Sequence, residues 1–373
     1  MPFGAVTACN TLPLRVDFAA RKGVPANGSG SAEHLFRKPI LDSIMKVLVT
    51  GGAGYIGSHT VRQLVKSGAD VTVLDSMVYG HPAALVDKEV KLVKGDLGDP
   101  AIVYPLLIDG QFDAVVHFAA FINVGESVTN PLKYYENNIA KPLVLLRAMI
   151  TAGCKRFVFS STCATYGVPT QIPIPETEKQ DPINPYGGSK FMLEKVCRDC
   201  DRAYGLKSVF LRYFNASGCS EDGLIGEDHE PETHLIPNIL LAIKGERPEL
   251  QVYGTDYDTP DGTCIRDYIH VDDLADAHLR AVDYLMRGGE TNWFNLGTGL
   301  GLSVREIIDA AEEVTGQKVP VAYGPRREGD PPRLIADARK AKEILGWEAR
   351  CKDARHIVET AWKWMNGPRG GHF

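Results

Sequence analysis

The stretch KVLVTGGAGYIGSHTVRQL, residues 46–64, reads as a strand, a glycine loop and a helix in immediate succession. Residues 46–50 are apolar and β-branched, as a buried strand requires, and from Ser58 to Val65 apolar residues recur at helical period. Between them Gly51, Gly54 and Gly57 stand three residues apart. Small residues at such a junction let a pyrophosphate approach the backbone, where free N–H groups and the helix dipole favour negative charge. The order of strand, loop and helix separates this from an ordinary glycine turn and predicts a dinucleotide site. A second strand, Val71 to Leu74, ends in Asp75, about 20 residues beyond the loop, where a carboxylate accepts both ribose hydroxyls and repels a 2′-phosphate. No Arg lies between Asp75 and Pro82, so the expected cofactor is NAD and not NADP.

Outward from this unit, short apolar runs alternate with helical patterns. Val90 to Lys94, Ala114 to His117, Arg156 to Ser160 and Ser208 to Arg212 continue the series of strands. That alternation predicts an α/β fold with a Rossmann-type, doubly wound parallel sheet. Ligands on such a sheet sit beyond the carboxyl ends of its strands, which places Phe118, Ala119, residues 160–162 and residues 213–215 around one crevice. A long helix from about Asn130 contains Pro142, which should kink or break it. Past Cys219 the loops become longer and richer in Gly, Pro and acidic residues, as in a smaller mixed α/β domain covering the crevice. The expected organisation is a disordered extension over 1–44, a dinucleotide-binding domain over 45–219 and a substrate domain over 220–373, with the chain crossing between the last two. Ser303 and Glu306 form a capping box that starts one helix of the latter, and Trp362 and Trp364 read as packing residues of a terminal amphipathic helix.

The first 44 residues carry the polar run PANGSGSAEH and no strong period; Met45 stands just before the first strand, and no continuous apolar segment suggests secretion. The chain is 44% hydrophobic and 24% charged, the composition of a globular protein with ample core. A net charge of -6 and a pI near 6.0 give no basic footprint for nucleic acid or an anionic membrane. No apolar tract approaches the roughly 18 residues a membrane span needs. The 8 cysteines are scattered, as expected of reduced thiols in the cytoplasm; Cys197 and Cys200 form a CxxC without a partner CxxC and fall inside a predicted helix as packing residues. The 10 histidines include no HExxH and no ligand-like pair at helical spacing with a carboxylate base, so no catalytic metal is expected.

The second informative motif is YGGSK, residues 186–190. Tyr186 and Lys190 share a helix face at i and i+4. A free phenol has a pKa of about 10, and serving as a base near neutrality requires lowering it by roughly 3, worth about 4 kcal/mol. One cation at ~4 Å supplies about 4 kcal/mol at an effective dielectric of 20, but only about 1 in bulk water. Lys190 can therefore activate Tyr186 only inside a closed crevice, with an oxidised nicotinamide adding positive charge.

TGGAGYIG, HFAA, SST, YGGSK and RYFN, in that order, resemble the extended short-chain dehydrogenase/reductase family. GESVTNPLKYYENN, LRYFNASG, PDGTCIRDYIHVDDLA, NLGTG and PRREGDPP narrow the resemblance to its UDP-glucose 4-epimerases, from about Met45 to the end of the sequence. The resemblance implies reversible C4 epimerisation of a UDP-hexose through a 4-keto sugar, galactose to glucose. Tyr186 would take the proton of the 4-hydroxyl as hydride passes to NAD, Thr162 would hydrogen-bond the same oxygen, and Lys190 would hold the nicotinamide ribose and lower the Tyr186 pKa. It implies further cofactor contacts from Tyr55, Ile56, Asp75, Asp96, Leu97, Phe118, Ala119, Asn137 and Phe214. Substrate contacts are implied for Asn215, His234, Leu235, Tyr253, Arg266, Arg327 and Asp330; guanidinium forks at Arg266 and Arg327 suit a pyrophosphate. A homodimer through a helix pair of the first domain is implied as well.

Some positions depart from that pattern. Ile122 stands where many of these enzymes have Lys, Ser76 where Asn often follows the ribose-binding Asp, and Thr162 where Ser is common. Leu334 occupies a position whose bulk resembles a gate on N-acetylated sugars, and its intermediate size leaves UDP-N-acetylhexosamines and pentoses open as substrates. A nucleotide-sugar dehydratase of the same fold resembles Thr-Asp-Glu at the catalytic Thr, where this chain has Thr162, Cys163 and Ala164 and so lacks the carboxyls for elimination. A non-catalytic NAD-binding regulator is the reading of another class, and an intact Tyr186/Lys190 pair argues against it.

Overall fold

The computed structural model describes residues 44–327 and 330–373; the expectation for the first 44 residues falls almost wholly outside them. Strands β1 (Lys46–Thr50), β2 (Asp70–Asp75), β3 (Lys91–Lys94), β4 (Ala114–His117), β5 (Arg156–Ser160) and β6 (Lys207–Arg212) lie in the order β3-β2-β1-β4-β5-β6, and Asn292–Asn295 adds a seventh strand beside β6. Every pairing in the sheet is parallel. Such a sheet needs cover on both faces. Side chains alternate along β1, so Val47 and Val49 enter the core on one face and Leu48 the core on the other.

The first face is covered by α1 (Tyr55–Lys66), through Val61 and Leu64, and by α8 (Val271–Met286), through Leu274, Ala277, Ala281 and Leu285. The second carries α2 (Pro100–Gly110), α5 (Lys141–Ala152) and α6 (Pro185–Tyr204), through Val103, Leu107, Leu145, Met149 and Leu193. Cys197 and Cys200 pack in that core on α6, and burial pushes both thiols up.

After a short helix α3 (Val124–Thr129), the helix expected from about Asn130 runs without a gap as α4 (Pro131–Tyr135), a π-helical turn (Glu136–Ala140) and α5; the π turn lies just ahead of Pro142, which donates no N–H, so the proline is met by a local change of hydrogen-bond pattern and not by a break. A third core gathers α7 (Leu235–Ile243), α9 (Val304–Thr315) and α11 (Ala354–Met365), with Trp364 1% exposed, while α10 (Arg339–Leu345) packs on the first face. The capping box of α9 forms as expected from Ser303 and Glu306. Short strands complete this part: Leu250–Tyr253 runs parallel to Val321–Gly324, Asn215–Ser217 to Tyr268–His270, and Ile265–Arg266 lies between Leu302–Ser303 and Arg333–Leu334. The seventh strand and α8 lie beyond residue 220 yet belong to the sheet and its cover, so the chain returns to its first layer after leaving it.

Candidate active site

The loop after β1 gives each glycine a different task. Gly51 has φ +73°, and a Cβ there would stand 2.5 Å from the Ala119 amide nitrogen; a Cβ on Gly57 would stand 2.2 Å from the Gly51 carbonyl oxygen. These two positions join β1, β4 and α1 at closest approach. A Cβ on Gly54 would meet only the Gly51 carbonyl oxygen, at 3.4 Å. Gly54 is also the N-cap of α1 and makes no side-chain cap, so the first N–H groups of the helix, those of Tyr55 and Ile56, are left for a ligand to meet. A pyrophosphate fits that cradle. Asp75, 7% exposed at the end of β2, accepts Ala53 N–H on one carboxylate oxygen and Met77 N–H on the other, leaving each a lone pair for a ribose hydroxyl.

The neighbouring strand ends complete the rim. Phe118 and Ala119 both donate their N–H to the Thr50 carbonyl, and the Phe118 ring lies tilted against His278, centroids 4.6 Å apart. Asp96 accepts from Gly98 N–H and from Lys141 Nζ; burial raises its carboxyl, but these donors outweigh it and hold it below the usual range, beside the buried Leu97. Asn137 donates to Asn138 within the π-helical turn, and the buried Asn138 ties Phe121 to Ser189 of α6.

Helix α6 starts at Pro185 because Asn184 caps it, its side chain accepting Gly187 N–H. A Cβ on Gly187 would stand 2.6 Å from the Ala164 carbonyl oxygen, so the helix lies directly against the turn Cys163–Tyr166 that follows Thr162. That contact brings the Tyr186 phenol to the Thr162 hydroxyl. Burial pushes the phenol up to about 12, and its hydrogen bond with Thr162 works the other way. Lys190 is 3% exposed; its ammonium donates to the Ser160 carbonyl at 2.9 Å and lies 6.0 Å from the Tyr186 ring centre. Burial lowers the amine to about 7, against the pull of Glu194. The protein's own groups thus bring Tyr186, Thr162 and Lys190 together, but they do not lower the phenol as expected, because desolvation wins and the amine faces Ser160.

Asn215 donates its N–H to the Asp267 carbonyl, and Phe214 and Leu334 pack against the small core of Cys163, Tyr166, Ile174 and Ala336. Leu334 pairs in register with Arg266, whose side chain, 11% exposed, forms an ion pair with Asp330. The Arg327 guanidinium lies 4.0 Å over the Tyr253 ring. His234 caps α7 and Leu235 begins it; burial lowers the His234 imidazole, but Glu227 and Glu232 outweigh it and raise it well above its ordinary value. Tyr55 donates its hydroxyl to the Gly218 carbonyl and sets its ring edge-on to His59 and His229.

The sequence matches the model of the NAD dependent epimerase/dehydratase family over residues 47–297. The chain belongs to that family. A UDP-glucose 4-epimerase of Lacticaseibacillus casei is 52% identical over 327 residues, 87% of this chain and 98% of that protein. The crystal structure of a UDP-glucose 4-epimerase from Brucella ovis in complex with NAD is 49% identical and superposes with a TM-score of 0.83 over 85% of this chain and 97% of its own. One from Bifidobacterium longum, in complex with NAD+ and UDP, is 41% identical with a TM-score of 0.83 over 88% of this chain and 100% of its own.

Reading the sequence missed one buried carboxylate beside Lys190. Glu194 follows Lys190 by one helical turn and accepts from Arg212 Nε at 2.9 Å and from Ser161 Oγ at 2.6 Å. Arg212 also donates to the Tyr166 hydroxyl, which donates to Asn295. The spacing Tyr186, Lys190, Glu194 on one helical face was the available signal.

Proposed function

We propose that this chain interconverts UDP-galactose and UDP-glucose, with NAD as a resident cofactor. The observation that carries the reading is the meeting of the Tyr186 and Thr162 hydroxyls in front of the buried Lys190 amine, beside the Gly54 cradle and Asp75. When bound, oxidised NAD supplies a two-electron acceptor for the C4 hydrogen and a positive charge near the phenol. Tyr55 and Ile56 N–H groups would hold its pyrophosphate, and Asp75 a ribose. Tyr186 takes the proton of the sugar 4-hydroxyl and later returns it; Thr162 keeps that oxygen aligned; Lys190 holds a ribose hydroxyl and, as ammonium, favours the phenolate. Arg266 and Arg327 bind the substrate pyrophosphate, the first held in place by Asp330. Asn215, His234, Leu235 and Tyr253 position the nucleotide sugar, and Phe118, Ala119, Asp96, Leu97, Asn137 and Phe214 line the cofactor.

Elimination chemistry is disfavoured because Cys163 is buried and Ala164 has no acid to offer. Leu334, packed against the small core of Cys163, Tyr166, Ile174 and Ala336, is of intermediate bulk and leaves UDP-N-acetylhexosamines and pentoses open as substrates; titration of UDP-galactose against UDP-N-acetylgalactosamine tests whether it excludes the acetamido group. The deciding experiment is interconversion by purified protein without added NADH. Tyr186→Phe is expected to lower the rate by orders of magnitude with NAD still bound; a near-normal rate would reject Tyr186 as the base.

The region 45–219 is read as the NAD-binding domain and 220–373 as the nucleotide-sugar domain. A cytoplasmic location is supported by the free thiols of all cysteines in the described residues, where no helix is long and apolar enough to cross a membrane. A homodimer is supported by Val128, Leu132 and Met192, exposed by 61%, 77% and 47% on α3, α4 and α6. Sedimentation velocity at twice the chain mass of 40.8 kDa is the expected result.

A further inference from the structure

The segment between Gly226 and α7 folds back on itself so that Glu227, His229, Glu232 and His234 turn one donor atom each toward a common point, all within 4.8 Å of one another. His234 Nδ1 lies 2.7 Å from Glu227 Oε1 and 3.0 Å from Glu232 Oε1, and His229 Nδ1 lies 3.2 Å from Glu227 Oε1. Both imidazoles reach Glu227 Oε1 at ion-pair distance, yet neither meets it at hydrogen-bond angles. His234 Nδ1 can carry one hydrogen, and hydrogen-bond geometry is met only toward Glu232. Glu227, its side chain 5% exposed, is left with Oε1 buried and no hydrogen bond from any described residue, and His229 Nδ1 is in the same position. A buried carboxylate oxygen without a well-directed donor is costly, and a cation held between it and the two imidazoles satisfies it.

We propose that Glu227, His229, Glu232 and His234 form a structural site for a divalent transition-metal ion of the zinc type. Two imidazoles and two carboxylates make the nitrogen and oxygen donor set that such ions take, and the two carboxylates balance the charge of the ion. Four donors at about 2.0–2.2 Å from a tetrahedral centre stand roughly 3.4 Å apart, which lies between the 2.7 Å of the tightest pair here and the 4.8 Å that bounds the group, so shifts of about 1 Å or less in side-chain position suffice. Thr233 and His234 N–H groups both donate to Glu232 Oε1 and fix that carboxylate beside the histidines, leaving Oε2 as its free ligand atom. A cavity of about 30 Å³ lined by Glu227, Asp228, His229 and Glu232 gives access. The ion would sit behind the cofactor loop, where the Tyr55 ring meets His229, and at the start of α7; its role is to fix those two elements, and no reaction step passes through it.

The test uses the full-length chain with its cofactor. After chelator treatment and reconstitution with Zn2+, elemental analysis is expected to give one ion per chain, with an upward shift in melting temperature. Reconstitution with Co2+ is expected to give the intense visible bands of a tetrahedral nitrogen and oxygen site in the unmutated protein. His229→Asn and Glu232→Gln should each weaken Zn2+ binding by about tenfold or more, whereas His356→Asn, in the separate cluster with Glu221, should leave it unchanged. Metal far below one ion per chain, only the weak bands of octahedral Co2+, or binding undiminished in both ligand variants would overturn the proposal. The Co2+ spectrum decides the matter even where a variant does not fold.

Discussion

Adding a methyl group at Gly57 would drive it into the Gly51 carbonyl, 2.2 Å away, whereas at Gly54 it would have only a contact at 3.4 Å. Gly57→Ala is therefore expected to cost about 1–3 kcal/mol of stability, seen as a lower melting temperature. Gly54→Ala should change the melting temperature of NAD-free protein little, yet reduce retained NAD strongly, because its methyl group occupies the cradle. Lys190 makes the opposite kind of bargain. Its amine titrates at about 7 in the fold against 10.5 ordinarily. Below pH 7 folded and unfolded chains both carry the charge and the full burial cost; between pH 7 and 10.5 the unfolded chain binds more protons, so stability rises with pH. In NAD-free protein, Lys190→Met should thus raise the melting temperature most at pH 6, with the gain shrinking by pH 9. Loss of activity at every pH should accompany it. A gain that grew with pH would contradict the burial of the amine. The pairing of Tyr186 with Lys190 was legible in the sequence because helical spacing alone sets it. The direction of their titration was not, since it depends on how completely the fold removes water and on where the ammonium points.

Helix α6 shows what periodicity carries and what it leaves out. Its apolar face and its start after Asn184 follow from pattern and capping, and Tyr186 and Lys190 fall where a dinucleotide site needs them. Glu194, a turn later, looks on paper like a solvated charge; it is wholly buried, because Arg212 on β6 meets it, and that pairing joins residues 18 apart through a strand crossing no local rule predicts. Glu194→Ala would leave a buried guanidinium uncompensated, and a loss of about 3–5 kcal/mol is expected in denaturant unfolding. If the loss were below about 1 kcal/mol, the pair would be no anchor for the catalytic turn. The strand Asn292–Asn295 escaped the sequence for a similar reason: NWFN is short and polar at both ends, and only the free edge of β6 makes it a strand. The cluster before α7 escaped because its four donors lie along an irregular loop, where neither helical nor strand spacing announces convergence.

Over the whole molecule, the parallel, doubly wound sheet and the dinucleotide loop were readable from the alternation of strands and helices, while the order of the strands came only from their pairing. The position of the substrate wall was not, because it is assembled from two- to four-residue strands whose partners lie far apart, such as Arg266 beside Leu334. The route of the chain has a further effect on inheritance. Residues 271–295, encoded beyond the point where the two halves would be divided, supply both a helix over α1 and the strand that closes β6. A genetic crossover near residue 220 would therefore deliver a cofactor module with an open sheet edge and an uncovered apolar helix, a template for aggregation. The two halves can diversify by point substitution in their loops, but they cannot be shuffled as consecutive cassettes.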